Sequence, residues 1–120
     1  MELIRIYSRY FPFSGFLALT ICPFVFIRKK VKERYTAKVN RHETTHALQQ
    51  VETMWILFFV LYGLEWLIKW FCCKFDSYRA YRSISFEQEA YMHENELYYN
   101  DLRKFYAWTK YIFRLVNDKK

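Results

Sequence analysis

Between Arg41 and Phe71 the chain contains no proline and a single glycine, Gly63. Over the same stretch Ala47, Leu48, Val51, Met54, Trp55 and Phe58 recur at three- and four-residue spacing, the period of one face of an α-helix. The pattern predicts one long helix, with Gly63 as the place for a bend. In a chain of 120 residues such a helix leaves room for one small domain, residues 1–120, whose other segments must cover its apolar side. The composition agrees. At 53% apolar and 22% aromatic the chain can bury enough surface to offset its ordering entropy, which excludes disorder. Two Gly and two Pro are too few for the many tight turns of an all-β protein. The expected class is α+β, helix-dominated.

The flanking segments are read in the same way. Gly15 to Ile27 is rich in β-branched and aromatic residues, Arg28 to Arg34 is charged, and Tyr35 to Asn40 alternates. This predicts a small β-hairpin ahead of the long helix, its strands joined by the charged turn. A hydrophobic helix over 14–22 is the competing reading. Pro23 lacks an N–H, so its strand should lie at a sheet edge or bulge. An edge over Ile21 to Ile27 could align an extended peptide, with Phe24 and Val25 in contact with it. Lys74 to Ser77 reads as a connection and Tyr78 to Arg82 as a short helical turn. Ser85-Phe86-Glu87-Gln88 fits a capping box, which predicts a helix from Ser85 to about Tyr99. Asp101 is the expected N-cap of a last helix, Leu102 to Val116, with Phe105, Trp108, Tyr111, Ile112 and Leu115 on one face.

The chemistry is concentrated in His42-Glu43-Thr44-Thr45-His46. Residues four apart on a helix share a face, so both imidazoles can aim at one point. Neutral imidazole is a good zinc ligand, and Glu43 lies beside the pair as a general base for a metal-activated water. Chance alone would supply roughly 0.005 such pentapeptides in this composition. A catalytic zinc needs a third protein ligand and an open position. Glu87, fixed in the first turn of its helix, is the leading candidate; Ala90, three residues on, would let two helices approach closely. Glu89, Glu94 and His93 are the alternatives. Glu94 is also a candidate partner for a histidine N–H. Gln49, Gln50 and Thr53 continue the polar side of the histidine helix, either lining a cleft or solvated.

His42-Glu43-x-x-His46, a hydrophobic helix, and then Glu87-Gln88-Glu89-Ala90-Tyr91 together resemble the gluzincin metallopeptidases. The pattern is most similar to the CAAX prenyl endopeptidase and HtpX heat-shock peptidase group and to the sensor metallopeptidases of β-lactam-responsive receptors. It also resembles short bacterial zincin-like proteins that end soon after this core. The resemblance covers about residues 36–97. It implies a minimal zincin fold with one zinc ion on His42, His46 and Glu87. It also implies hydrolysis of peptide bonds in a peptide or protein substrate, with Glu43 as the base. In that group a Glu-x-x-Ala-Asp motif carries the third ligand; here Tyr91 stands in place of its Asp, a departure from the pattern. Tyr91 and Arg82 are candidates for stabilising the oxyanion. The alternative function is a catalytically silent zinc-binding interaction protein at a membrane. A metal-free helical membrane protein is the third class.

Charge narrows the partners. Lys plus Arg exceeds Asp plus Glu by 19 to 12, a net charge of +7. The basic residues are scattered among acids with no recognition-helix or RNA-binding signature, so no nucleic acid partner is expected. An anionic membrane surface suits the basic residues at 28–34 and at the C-terminus. The apolar stretches Phe11 to Ile27 and Trp55 to Cys73 are short or interrupted by charge for a span. Trp55, Phe58, Phe59, Tyr62, Trp66 and Trp70 are expected in the core or on a lipid-facing surface. Glu65 and Lys69, at i and i+4, can neutralise each other. Cys22, Cys72 and Cys73 form no disulfide framework, which fits a reducing compartment. No small-x-small cleavage site follows the first apolar run. The expected location is the cytoplasm, at the inner face of the membrane.

Overall fold

The computed structural model describes residues 2–9 and 17–116. Strands β1 (Ile4–Ser8), β2 (Ala18–Ile21) and β3 (Phe24–Arg28) form a sheet of order β1-β3-β2, and helices follow, so the class is α+β and helix-dominated. β2 and β3 are antiparallel, with Ala18 opposite Ile27 and Ile21 opposite Phe24. β1 runs parallel to β3, Ile4 opposite Phe24. The hairpin therefore lies, but for Arg28, within the stretch read as its first strand. Pro23 sits in the turn, where its missing N–H disturbs no ladder, and its carbonyl accepts from the Ile4 N–H at 2.8 Å. Phe24 and Val25 belong to the central strand; the edges are β1 and β2. Residues 11–16 of the apolar stretch and the C-terminal lysines lie outside the described residues.

Lys29–Arg34 is a 3-10 helix, and Tyr35 to Asn40 is not a strand. The Thr36 hydroxyl accepts from the Val39 N–H at 3.4 Å and caps α1 (Ala37–Glu52). The alternation in that segment has another cause. Tyr35 packs in a core with Val25 and Ile27, and Val39 reaches the same core from the first turn of α1.

The predicted long helix is two helices. α1 ends at Glu52, α2 (Ile56–Cys72) follows, and the pair is bent by 110°. The break is a Schellman motif. The Trp55 N–H donates to the Gln50 carbonyl at 2.7 Å and the Met54 N–H to that of Val51 at 3.3 Å. Met54 takes the left-handed position at φ 57°, where glycine is usual. α2 ends in the same way, with Lys74 at φ 56° and the Phe75 N–H on the Trp70 carbonyl at 2.8 Å. Gly63 stays inside α2, with open space around it. No single helix among the described residues is long and apolar enough to cross a membrane.

Asp76 caps α3 (Ser77–Ser83) by accepting from the Arg79 N–H at 3.0 Å. α4 (Ser85–His93) starts at the predicted residue but ends well before Tyr99. Its cap comes from elsewhere than the predicted box. Glu65 of α2 accepts from both the N–H and the hydroxyl of Ser85, at 2.7 and 2.6 Å. Gln88 turns to the carbonyls of Ser83, Tyr111 and Arg114 instead. The predicted last helix is replaced by α5 (Tyr99–Leu102) and a 3-10 turn over Ala107–Tyr111. Asp101 lies inside α5. Between them Arg103 is extended, held by Glu52 and Glu89, and Tyr106 is left-handed at φ 59°. Trp108 and Tyr111 are buried, while Phe105 is exposed.

A core of Phe58, Ile84, Phe86 and Trp108 lies among α2, α4 and the C-terminal turn, and the Val25–Ile27–Tyr35 core lies under the sheet. α1 packs between them, against β2 and α4.

Candidate metal centre

α1 buries mainly polar side chains: His42, Glu43, Thr45, His46, Gln49 and Gln50. Buried polar groups are destabilising unless they are hydrogen-bonded, and each of these has a partner. Thr44 and Thr45 donate to the carbonyls of Asn40 and Arg41, one turn back, at 2.7 and 3.0 Å. The rings of His42 and His46 meet edge to face, 4.8 Å apart, as the i, i+4 spacing requires.

Glu87 reaches them from the first turn of α4. Its Oε1 lies 3.1 Å from Nε2 of His42 and 3.1 Å from Nε2 of His46. All three side chains are buried, and one ligand atom from each lies within 4.8 Å of the others. This group can hold a metal ion. Two charges from the apolar helix α2 fix the approach of Glu87. Glu65 caps α4 two residues upstream, and Lys69, 2.7 Å from Glu65 Oε2, donates to the Ser83 carbonyl just before the cap. Tyr62, also on α2, donates its hydroxyl to the other oxygen of Glu87 at 2.6 Å.

Outer partners set the ring orientations. Glu94 Oε1 accepts from His42 Nδ1 at 3.0 Å. Gln49 Nε2 donates to the Phe86 carbonyl and to Glu89 Oε1, at 3.1 and 2.8 Å. Its Oε1 therefore faces His46 Nδ1, at 2.9 Å, and accepts that N–H. Both Nε2 atoms are left pointing at the centre. Glu89 in turn takes two bonds from Arg103, at 2.6 and 2.9 Å, and one from Tyr99 at 2.6 Å. His93 is elsewhere, stacked on Tyr99 and bonded to Glu96. Of the four candidates for third ligand, the fold brings Glu87 to the histidines, puts Glu94 behind one of them and ties Glu89 to Arg103.

The electrostatics of the group favour positive charge. Burial pushes His42 down, but its hydrogen bonds to Glu87 and Glu94 outweigh this and hold it up at about 10. Burial also opposes charge on His46, and the Glu87 carboxylate overcomes it. Burial would raise Glu87, yet the charge of His46 and the bonds to both rings hold it well below the usual carboxylate range.

Glu43 stands apart from this triad. Its Oε1 accepts from the Thr20 hydroxyl of β2 at 2.6 Å. Burial raises its carboxyl, against the pull of His46, His42 and the Thr20 bond. Glu43 and the three triad residues line a cavity of about 240 Å³. It adjoins an outer cleft of about 650 Å³ between β2 and helices α1 to α4. The Tyr91 ring packs 4.4 Å from that of His42, its hydroxyl 2.8 Å from that of Tyr81. The Arg82 guanidinium lies 3.9 Å from the centroid of the Tyr91 ring. Tyr81 lines both cavities, whereas Tyr62 and Thr20 are site residues that sequence reasoning did not single out. Tyr62 is a polar tip on an apolar helix, a signal lost among 11 tyrosines. No protein-family model matches the chain, and no curated protein or solved structure matches it.

Proposed function

We propose that the chain is a zinc metallopeptidase of the gluzincin kind, hydrolysing peptide bonds with Glu43 as general base. The observation that carries the reading is the separation of roles in one cavity. His42, His46 and Glu87 converge on a point, while Glu43 is held beside them by Thr20. The donor set fits zinc. Two imidazoles and a carboxylate leave a fourth position open, and tetrahedral bonds of about 2.1 Å put ligand atoms about 3.4 Å apart. The two histidine–Glu87 separations are 3.1 Å.

A zinc ion held by His42, His46 and Glu87 would supply Lewis acidity towards a carbonyl oxygen and would lower the pKa of water. Glu43 accepts the proton of the attacking water and passes it to the leaving nitrogen. Tyr62 occupies Oε2 of Glu87, so that Oε1 is the oxygen facing the two histidines. Tyr81, which lines both cavities, joins Tyr91 as a hydroxyl donor for the carbonyl oxygen. The edge strand β2 borders the same cleft. Alternation along an antiparallel strand turns the outer backbone groups of Ala18 and Thr20 to one side. Gln50 takes the Thr20 carbonyl at 2.7 Å, and Ala18 lines both cavities, where an extended peptide can pair.

The test combines zinc content with cleavage of a fluorescein-labelled unfolded protein. Wild type and Glu43→Gln should bind zinc equally, and Glu43→Gln should lose about 10²–10⁴ in rate. His46→Ala and Glu87→Ala should lose the zinc. Cleavage by Glu43→Gln at the wild-type rate, or undiminished zinc in both ligand variants, overturns the proposal. Zinc binding without cleavage by wild type leaves a silent binding module.

A further inference from the structure

The outward side of α2 has no partner among the described residues. Ile56 is 76% exposed and Ile68 61% exposed. With Val60, Leu64, Leu67 and Phe71, all exposed, they recur at helical spacing and form one apolar face from end to end of the helix. The only charged residues of α2 are Glu65 and Lys69, and both are turned inward, to Ser85 and to the Ser83 carbonyl. A continuous uncharged face of this extent is unusual on a soluble monomer and marks a contact surface.

We infer that this face lies in the surface of an anionic lipid bilayer, with α2 parallel to the membrane plane. Three observations select lipid over a second copy of the chain. The net charge is +7, so two copies repel each other while an anionic surface attracts each one. Aromatic rings stand at both ends of the helix, Trp55 before it and Phe71 and Phe75 at its close, with Lys74 exposed beside them. Amphipathic side chains of this kind settle at the lipid–water boundary. The 17 residues of α2 make a rod of about 26 Å, shorter than the roughly 30 Å of a bilayer core. Lying in the interface suits a helix with one face on protein and the other bare. The inward face of the same helix supplies Tyr62, Phe58 and Phe59 to the cavity, which puts the cleft beside the membrane. The inference stands on exposure and charge and holds whether or not the centre is catalytic.

Flotation with vesicles tests it. The probes are pure phosphatidylcholine, and phosphatidylcholine with about one-third phosphatidylserine, at low and high salt. Wild type should float with the anionic vesicles, less with the neutral ones, and less at high salt. Leu64→Glu/Ile68→Glu and Leu64→Lys/Ile68→Lys alter exposed positions and should keep the zinc content of wild type. Each pair should weaken flotation about tenfold or more, because inserted apolar surface is lost. Three results overturn the inference: wild type that stays unbound, a lysine pair that floats like wild type, or a wild-type dimer that the glutamate pair separates with no change in flotation. Zinc content is read on the same samples, so failure here is distinct from failure of the metal centre.

Discussion

Removing Glu94 should weaken metal binding without dismantling the fold. Its Oε1 accepts from His42 Nδ1 at 3.0 Å, and its side chain is 14% exposed. The other contact of its side chain, Lys38 at 3.5 Å, is half solvated and contributes little. A hydrogen bond to an ionised group contributes about 1.5–3 kcal/mol. Partial solvation favours the lower end, so Glu94→Ala should lose about 1.5–2 kcal/mol of ligand orientation, or about ten- to thirtyfold in Kd for zinc. Glu94→Gln keeps an acceptor of the same shape and loses only the charge; about three- to fivefold is expected. The assay is competition against a chromophoric chelator at fixed pH, with metal-free unfolding midpoints as the control. Because Glu94 closes α4 at its C-cap, those midpoints should move little. Zinc binding by Glu94→Ala within twofold of wild type refutes the claim that this carboxylate orients His42. So does a Gln variant weaker than the Ala variant.

Other outcomes follow from the same geometry. Arg103 bridges Glu52 and Glu89, with all three side chains almost fully buried, so Arg103→Met should destabilise by about 3–5 kcal/mol in denaturant unfolding. Gly63→Ala places a methyl in open space inside α2 and should raise stability by about 0.5–1 kcal/mol in lipid-free solution. His42 is held protonated at neutral pH when no metal is bound, and an imidazole must lose that proton to bind. Zinc affinity should therefore rise with pH, about tenfold per unit for each proton released, which a chelator competition series from pH 6 to 8 measures. Stripping the ion should lower the melting temperature, by the equivalent of about 4 kcal/mol at a zinc concentration 1,000 times Kd.

Local geometry made part of this molecule legible in advance. Two histidines four residues apart share a helix face whatever surrounds them, so the imidazole pair and its neighbour Glu43 could be read directly. The α+β class followed from helical periodicity and the shortage of turn residues. The breaks were a different matter. Met54 occupies a left-handed position where glycine is the usual signal, so two helices read as one and Gly63 drew the bend to the wrong place. The capping box at Ser85 lost to Glu65, because a carboxylate from a packed neighbour satisfies the same N–H and the hydroxyl as well.

Which carboxylate meets the histidines was a tertiary decision. Glu87 is 41 residues from His46, and its position depends on Glu65 and Lys69 pinning α4 to α2. The bare face of α2 belongs to the same class of fact. Periodicity marks a helix as apolar, but only the packed structure says which side has found a partner, because burial depends on every element at once. Short-range spacing determined the imidazole pair; long-range packing determined which carboxylate meets it.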